Sequence, residues 1–276
     1  MTMFYVGLMT LVVVVTTALM MLGYWISWRS QKLPDVFRGS GFSDGLRKKK
    51  SRLRTLIVTA HPDDECMFFS PLIQHLVQLD HKVFLLCLSS GDFYGMGTTR
   101  IIELLSSSRV LGIDATHVTV LNDKNLLDNA SLDWEPAEVE KHIVKALRNT
   151  QADIIISFDG YGVSGHSNHR AIHRTLSKML KAGHLHKGKA GSQVHAFMLE
   201  SVAIYRKYCG FFDATVSMFL SPYTVISTPT GYITALRAMV QHWSQLVWFR
   251  MLYVAFSRYM MVNTLVPLDA TEICNT

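Results

Sequence analysis

Short apolar, β-branched runs alternate with helix-like segments from residue 54 onward, and this alternation constrains the fold more than any other feature. Strands are predicted at 55–60, 82–88, 117–121, 153–158 and 193–199, and helices at 68–79, 98–111, 135–149 and 168–180. Strands that alternate with helices are joined by right-handed crossovers into a parallel sheet covered by helices. We therefore expect an α/β fold with a Rossmann-like, doubly wound and mostly parallel sheet.

A second feature is the absence of Asp, Glu, Lys and Arg from residues 1–28. The apolar run at 6–25 has about the 20 residues that a bilayer requires, and Tyr24, Trp25 and Trp28 match an aromatic belt. A cleaved signal peptide is the alternative, but the run is too long and no basic residue precedes it. We expect one N-terminal transmembrane helix ahead of the α/β domain.

The charge is concentrated directly after that segment. Residues 29–54 carry nine basic and two acidic side chains, whereas the whole chain has a net charge of +6, so the remainder is nearly neutral. The positive-inside rule then predicts the C-terminal part on the cytosolic side. The basic cluster either rests on anionic lipid headgroups or only sets the topology. We expect an anchor at 1–28, a basic juxtamembrane linker at 29–53 and a catalytic domain at 54–276.

Composition excludes several classes of protein. Hydrophobic residues are 49% and charged residues 17% of the chain, which excludes a disordered protein. A nearly neutral domain argues against a nucleic-acid partner. The four cysteines are too few and too widely spaced for a disulfide scaffold or a CxxC zinc site: Cys66, Cys87, Cys209 and Cys274. A reduced, cytosolic state suits them.

The first chemical motif is Ala60-His61-Pro62-Asp63-Asp64-Glu65, which follows the first predicted strand. Doubly wound sheets bind ligands beyond the carboxyl ends of their strands. His61 and Asp64 are three residues apart and can be aimed at one point, while the adjacent aspartates can divide the roles of ligand and base. Helix capping would explain one aspartate but not the whole group.

The second motif, Gly165-His166-Ser167-Asn168-His169, follows the fourth predicted strand. A histidine here can meet His61 and Asp64 across the crevice, and two histidines with one carboxylate are a recurrent catalytic zinc set. Three further histidines are expected to be packing or surface residues: His173, His184 and His186.

A third polar string, Ser89-Ser90-Gly91-Asp92, follows the second strand. Asp92 is a candidate for substrate binding, as is Arg100, which either pairs with Glu103 on one helix face or reaches the pocket. The nearby glycines do not form GxGxxG, so a dinucleotide site is not supported.

Residues 233–262 form a long, mostly apolar helical pattern interrupted by Arg237, His242, Arg250 and Arg258. The pattern is too charged for an easy second span. It predicts either a core helix or an interfacial helix at the bilayer.

The two histidine motifs together resemble the LmbE-type zinc de-N-acetylases. Within that family the chain is similar to the branch acting on N-acetylglucosaminyl-phosphatidylinositol in GPI-anchor synthesis, over the anchor, the domain and residues 242–250. The resemblance implies Zn²⁺, or another divalent metal, on His61, Asp64 and His169. It implies Asp63 as general base, and His166 as the group that stabilises the oxyanion or protonates the amine.

The same resemblance implies sugar contacts by His242 and Gln245, and a glycolipid substrate met at the endoplasmic reticulum membrane. Asn168 departs from the pattern of many bacterial relatives, in which an acidic residue precedes the zinc histidine. Two other functions stay open: a membrane-anchored zinc amidase for another N-acetyl sugar conjugate, and a non-catalytic glycolipid-binding subunit. Acetate release from lipid-linked and soluble sugars would distinguish these alternatives.

Overall fold

The computed structural model describes residues 2–38, 52–129, 132–186 and 192–268; the basic run at 47–50 and Cys274 lie outside them. One seven-stranded sheet runs through the described domain in the order β3-β2-β1-β4-β5-β7-β6. Its strands are β1 Arg54–Thr59, β2 Lys82–Cys87, β3 Val118–Val120, β4 Ile154–Phe158, β5 His195–Leu199, β6 Tyr223–Ile226 and β7 Val262–Pro267.

The described residues form eleven α-helices, and several of them pack against strands of this sheet. They are α1 Thr2–Arg29, α2 Asp64–Phe68, α3 Ser70–Gln78, α4 Gly97–Val110, α5 Pro136–Thr150, α6 Gly162–Gly165, α7 Ser167–Lys181, α8 Ile204–Lys207, α9 Asp213–Leu220, α10 Pro229–Gln241 and α11 Trp248–Phe256. The helix expected at 68–79 is therefore two helices that meet at Phe69 and begin earlier, at Asp64.

The strand pairing confirms the predicted α/β class. β1 pairs in parallel with β2 on one side and β4 on the other, with Thr55 opposite both Val83 and Ile154. β3 and β5 extend the parallel part, so the connection order reverses between β1 and β4. This reversal opens the crevice in which doubly wound folds bind ligands.

Two strands were not predicted. β7 pairs antiparallel with both β5 and β6 and closes one side of the sheet. β6 has only four residues, and β7 begins at Val262, the last residue of the long apolar pattern that reads as helix. Neither strand carries a local signal strong enough to distinguish it from its surroundings.

The single long helical pattern predicted over 233–262 is wrong as one element. α10 ends at Gln241, a 3₁₀ turn covers Trp243–Gln245, and α11 begins at Trp248. Glu103 supplies the physical reason, because its carboxylate accepts both the backbone N–H and the hydroxyl of Ser244, at 2.8 and 2.6 Å. A bond from a distant helix thus takes the peptide group that a continuous helix would use.

The N-terminal helix α1 is 28 residues long, and its side chains are exposed over most of the length. It is long and apolar enough to cross a bilayer. Its last turns pack on the domain, where the Tyr24 hydroxyl donates to the carbonyl of Ser227. The described part of the expected linker also packs there, because Phe37 is fully buried against Phe197.

Candidate active site

The loop after β1 places a carboxylate at the centre of the sheet's carboxyl edge. Asp64 Oδ2 accepts the backbone N–H groups of Ala60 and His61, both at 2.9 Å, and its side chain is buried. Burial alone would raise the pKa of Asp64, but the neighbouring His169 and His61 outweigh it and hold the pKa below its usual value. Asp64 is therefore an ionised, buried group that requires a cationic neighbour.

The end of β4 and the start of α7 bring His169 to this carboxylate. Its Nδ1–H donates to the carbonyl of Gly162 at 3.0 Å, so the unprotonated nitrogen of the neutral ring is Nε2. Nε2 lies 3.3 Å from Asp64 Oδ2, is buried, and has no hydrogen-bond partner among the described residues. An unprotonated Nε2 beside a carboxylate suits a metal ligand, and the Gly162 carbonyl fixes this tautomer through Nδ1–H.

Three imidazoles meet at this point. The rings of His61, His166 and His169 offer nitrogen atoms that all lie within 4.8 Å of one another. The Nδ1 atom of His61 is 3.9 Å from Asp64 Oδ2, which adds a carboxylate to the group. Such a donor set of nitrogen and oxygen atoms fits a divalent transition metal.

His166 occupies the N-cap position of α7. Its Nδ1 accepts the backbone N–H of Asn168 at 3.3 Å, so the neutral ring carries its proton on Nε2. Burial, followed by the charges of His61 and His169, lowers the pKa of His166 to about 4. The side chain is thus a neutral hydrogen-bond donor at neutral pH.

Asp63 does not cap α2, although it precedes that helix. It makes no side-chain capping bond and adopts a left-handed backbone at φ 112°, a costly conformation for a residue with a Cβ. The Glu65 carboxylate holds it there by accepting the Asp63 N–H at 3.0 Å. The Asp63 carboxylate instead faces Arg250, with which it forms an ion pair, and Arg100, at 3.6 Å.

Arg100 reaches the pocket, which is the second of the two arrangements expected for it. Its guanidinium donates to the carbonyl oxygens of Pro62 and Gly91, at 2.7 and 3.0 Å, and to Asp128 at 3.0 Å. Gly91 permits this approach, because a Cβ there would lie 2.4 Å from the guanidinium. The expected pairing with Glu103 is replaced by the bonds of Glu103 to Ser244.

The cavity above the cluster has a volume of about 550 Å³. Of the sequence-predicted site residues, it is lined by His61, Asp63, Asp64, Arg100, His166, His169 and Gln245. Asp92 is not among the lining residues, and its carboxylate instead accepts the backbone N–H of Gly97 at 2.6 Å. That bond secures the loop before α4.

The prediction that His242 contacts the sugar is wrong. Its side chain is 0% exposed, and Nε2 bonds the equally buried Glu65 at 2.7 Å. Glu65 also accepts the hydroxyl of Ser107 at 2.5 Å. The pair lies beneath the site and supports the backbone of Asp63.

Several cavity residues were missed by sequence reasoning. Asp128 lies 3.1 Å from His61 Nε2 and bridges it to Arg100, although it belongs to a loop with no motif. Asn168, which the second motif already contains, places its amide nitrogen 3.2 Å from the same Nε2. Other lining residues without a motif of their own are Lys207, Tyr208, Phe249, Arg250 and Tyr253. Phe249 and Arg250 were visible only as part of the resembling segment.

The fold and the site define a class: a doubly wound α/β protein with a histidine–carboxylate centre, suited to metal-assisted hydrolysis, at the switch point of its sheet. Residues 56–180 match the family described as PIG-L, GlcNAc-PI de-N-acetylase. The chain belongs to this family.

Individual relatives support the assignment over most of the chain. The chain is 38% identical over 242 residues to N-acetylglucosaminyl-phosphatidylinositol de-N-acetylase of Bos taurus, a match that covers 87% of this chain and 90% of that one. It is 35% identical to the probable enzyme of that name from Dictyostelium discoideum, covering 78% and 93%. The fold resembles N,N'-diacetylchitobiose deacetylase from Pyrococcus horikoshii, with a TM-score of 0.56, 18% identity, and coverage of 84% and 90%.

Proposed function

We propose that the protein is a zinc-dependent enzyme that hydrolyses the N-acetyl group of N-acetylglucosaminyl-phosphatidylinositol. The products are acetate and glucosaminyl-phosphatidylinositol, a step of GPI-anchor synthesis. The observation that carries the proposal is the 38% identity to the bovine relative of that name over 87% of the chain. The cavity supports hydrolysis, because a candidate metal cluster, a carboxylate and a neutral histidine line it together.

His61, Asp64 and His169 would hold the metal. A bound Zn²⁺ supplies Lewis-acid polarisation of the acetamide carbonyl and lowers the pKa of a water to around 7. The buried His169 Nε2 supports this assignment, because it lies 3.3 Å from Asp64 Oδ2 and makes no hydrogen bond within the described part of the chain. Asp128 orients His61, because its Oδ1 lies 3.1 Å from Nε2 and accepts the proton there, which leaves Nδ1 free to bind the metal.

Asp63 acts as the general base in this proposal. It accepts a proton from the attacking water and delivers it to the leaving nitrogen. Its carboxylate lines the cavity, where it pairs with Arg250 and lies 3.6 Å from Arg100. His166 presents its Nε2–H to the oxygen on which negative charge develops, and no proton transfer is needed for that role.

The membrane location belongs to the same proposal. α1 spans the endoplasmic reticulum membrane once, and the basic residues that follow it keep the domain on the cytosolic side. A lipid-linked sugar is then presented to the cavity from the adjacent leaflet. The sequence features that support this are the uncharged segment at 1–28 and the nine basic residues at 29–54.

The test measures bound metal and acetate release on the full chain purified in detergent. Asp63→Asn should retain the metal and lose turnover by a factor of roughly 10² to 10⁴. His169→Ala should lose both. Asp80→Asn is the matched control, since its exposed carboxylate pairs with Arg52 outside the cavity.

Four results would contradict the proposal or one of its residue assignments. Full turnover by Asp63→Asn would place the base elsewhere, and stoichiometric metal in His169→Ala would remove that ligand. Equal acetate release from the glycolipid and from soluble N-acetylglucosamine conjugates would favour a different amidase. Purified protein that binds no divalent metal and releases no acetate would instead favour a non-catalytic glycolipid-binding subunit.

A further inference from the structure

Helix α9 exposes apolar side chains on its outward face, while its inward face mixes polar residues with the buried Ala214 and Met218. Its inward face carries Asp213 and Ser217, and Asp213 forms ion pairs with Arg206 and Arg258 at 2.7 and 2.9 Å. Its outward face is apolar: Val216, Phe219 and Leu220 are exposed, Phe219 to 85%. Soluble surfaces rarely present such a contiguous apolar patch.

Helix α11 shows the same arrangement. The outward positions follow the helical spacing i, i+3, i+4, i+7 and i+8, and all are apolar: Trp248, Met251, Leu252, Ala255 and Phe256. Tyr253 and Val254 face the core. No charged residue interrupts the outward stripe, so exposing this face to water is unfavourable.

Helix α9 contacts α1, and the turn that precedes α9 contacts the end of α11. Ser27 Oγ on α1 lies 3.4 Å from Thr215 Oγ1 on α9, and the Tyr24 ring packs edge-on against Phe211. The residue preceding Phe211 meets the end of α11, since a Cβ on Gly210 would lie 3.6 Å from the carbonyl of Phe256. We call the exposed set the apolar face: Phe212, Val216, Phe219, Leu220, Trp248, Met251, Leu252 and Phe256.

The position of α9 along α1 indicates what the apolar face contacts. α9 packs beside the last two turns of α1. At a rise of 1.5 Å per residue, this contact lies within about 10 Å of the C-terminal end of α1. Cations lie at the same level: Lys32 Nζ donates to the carbonyl of Met218 at 3.3 Å, and the Arg29 guanidinium is 4.8 Å from the centre of the Trp25 ring. Aromatic and basic side chains at one end of an apolar helix are typical of the headgroup region.

We propose that α9 and α11 dock into the interfacial layer of the bilayer that α1 crosses, as a second membrane contact beside the anchor. Phe249 and Tyr253 of α11 line the cavity. Docking therefore places the cavity mouth at headgroup height, where the sugar of a lipid can enter while the acyl chains stay in the membrane. The inference rests on the span proposed above, and the test measures that span separately.

The experiment uses the full chain in nanodiscs of phosphatidylcholine and phosphatidylserine. Cys209→Ser and Cys274→Ser leave only Cys66 and Cys87, whose thiols are buried. Single cysteines at Leu220 and Leu252 carry an environment-sensitive fluorophore. Acyl-brominated lipid reports contact with the bilayer, and aqueous iodide reports contact with water.

Two control positions frame the result. Val13→Cys lies within the proposed span and is exposed. Thr119→Cys is exposed on β3, at the opposite edge of the sheet from β6, roughly 29 Å away at 4.8 Å per strand. Labels at 220, 252 and 13 should lose fluorescence to brominated lipid and resist iodide, whereas the label at 119 should do the reverse.

Other outcomes would overturn the inference. Iodide quenching at 220 and 252, with lipid quenching at 13, would leave the anchor in place and refute docking. Iodide quenching at 13 as well would refute both the span and the docking. Protection of 220 and 252 from both quenchers would identify a protein partner, such as a second copy, in place of lipid.

Discussion

The buried pair of Glu65 and His242 offers the sharpest test of how the site is supported. Both side chains are 0% exposed, and their 2.7 Å bond joins residues 177 positions apart. His242→Ala removes one partner and leaves Glu65 with the hydroxyl of Ser107 and the N–H of Asp63. A buried carboxylate that loses its partner is strongly destabilising, because the desolvation cost of its charge is no longer offset.

The expected magnitude follows from burial. Breaking a buried pair costs about 3–5 kcal/mol. Because Glu65 keeps two other hydrogen bonds, we expect a loss of about 3–4 kcal/mol here. For a domain of this size, 1 kcal/mol shifts Tm by about 2–4 °C, so we expect a fall of roughly 6–16 °C. His142→Ala is the matched control, because its 2.9 Å bond to Asp123 is partly exposed and such pairs contribute at most about 1 kcal/mol.

The assay is thermal unfolding of the full chain in detergent, with acetate release measured on the folded fraction below the transition. Adding Glu65→Gln to His242→Ala should recover part of the lost stability, since it removes the uncompensated charge. Equal Tm values for His242→Ala and His142→Ala would refute the reasoning. A double variant no more stable than His242→Ala would show that the lost volume, and not the charge, is responsible.

Two further predictions concern the arginines around Asp63. Gly91→Ala should lower both Tm and turnover, because the added Cβ would displace Arg100. Gly183→Ala is the control: Gly183 is also at φ 70°, but no atom lies within 4 Å of its Cβ. This control should lose only the backbone cost of about 1–2 kcal/mol. Equal losses in the two variants would remove the role assigned to Arg100. Arg250→Met should lower turnover while bound metal stays stoichiometric, since Arg250 contacts Asp63 and no proposed ligand; metal loss on elemental analysis would contradict this.

The class of fold and the location of the chemistry can be predicted from the amino-acid sequence alone. Apolar β-branched runs such as Thr55-Leu-Ile-Val-Thr59 predict buried parallel strands because the pattern is local. The strands of a doubly wound sheet present their carboxyl ends at one edge, so the motifs at His61 and His169 could be expected to meet before any coordinates were known. The structure brings them together, with ring centres 5.5 Å apart.

The side chains that surround those motifs follow from three-dimensional packing and could not be predicted from the sequence. Arg250 reaches Asp63 across 187 residues, and Asp128 reaches His61 from a loop without any motif. His242 and Gln245 are three residues apart, yet one is buried under the site and the other lines the cavity. Such outcomes depend on where α10 ends, and Glu103 influences that point through its bonds to Ser244. Contacts between distant segments leave no periodicity in the chain, and for that reason the sequence could not specify them.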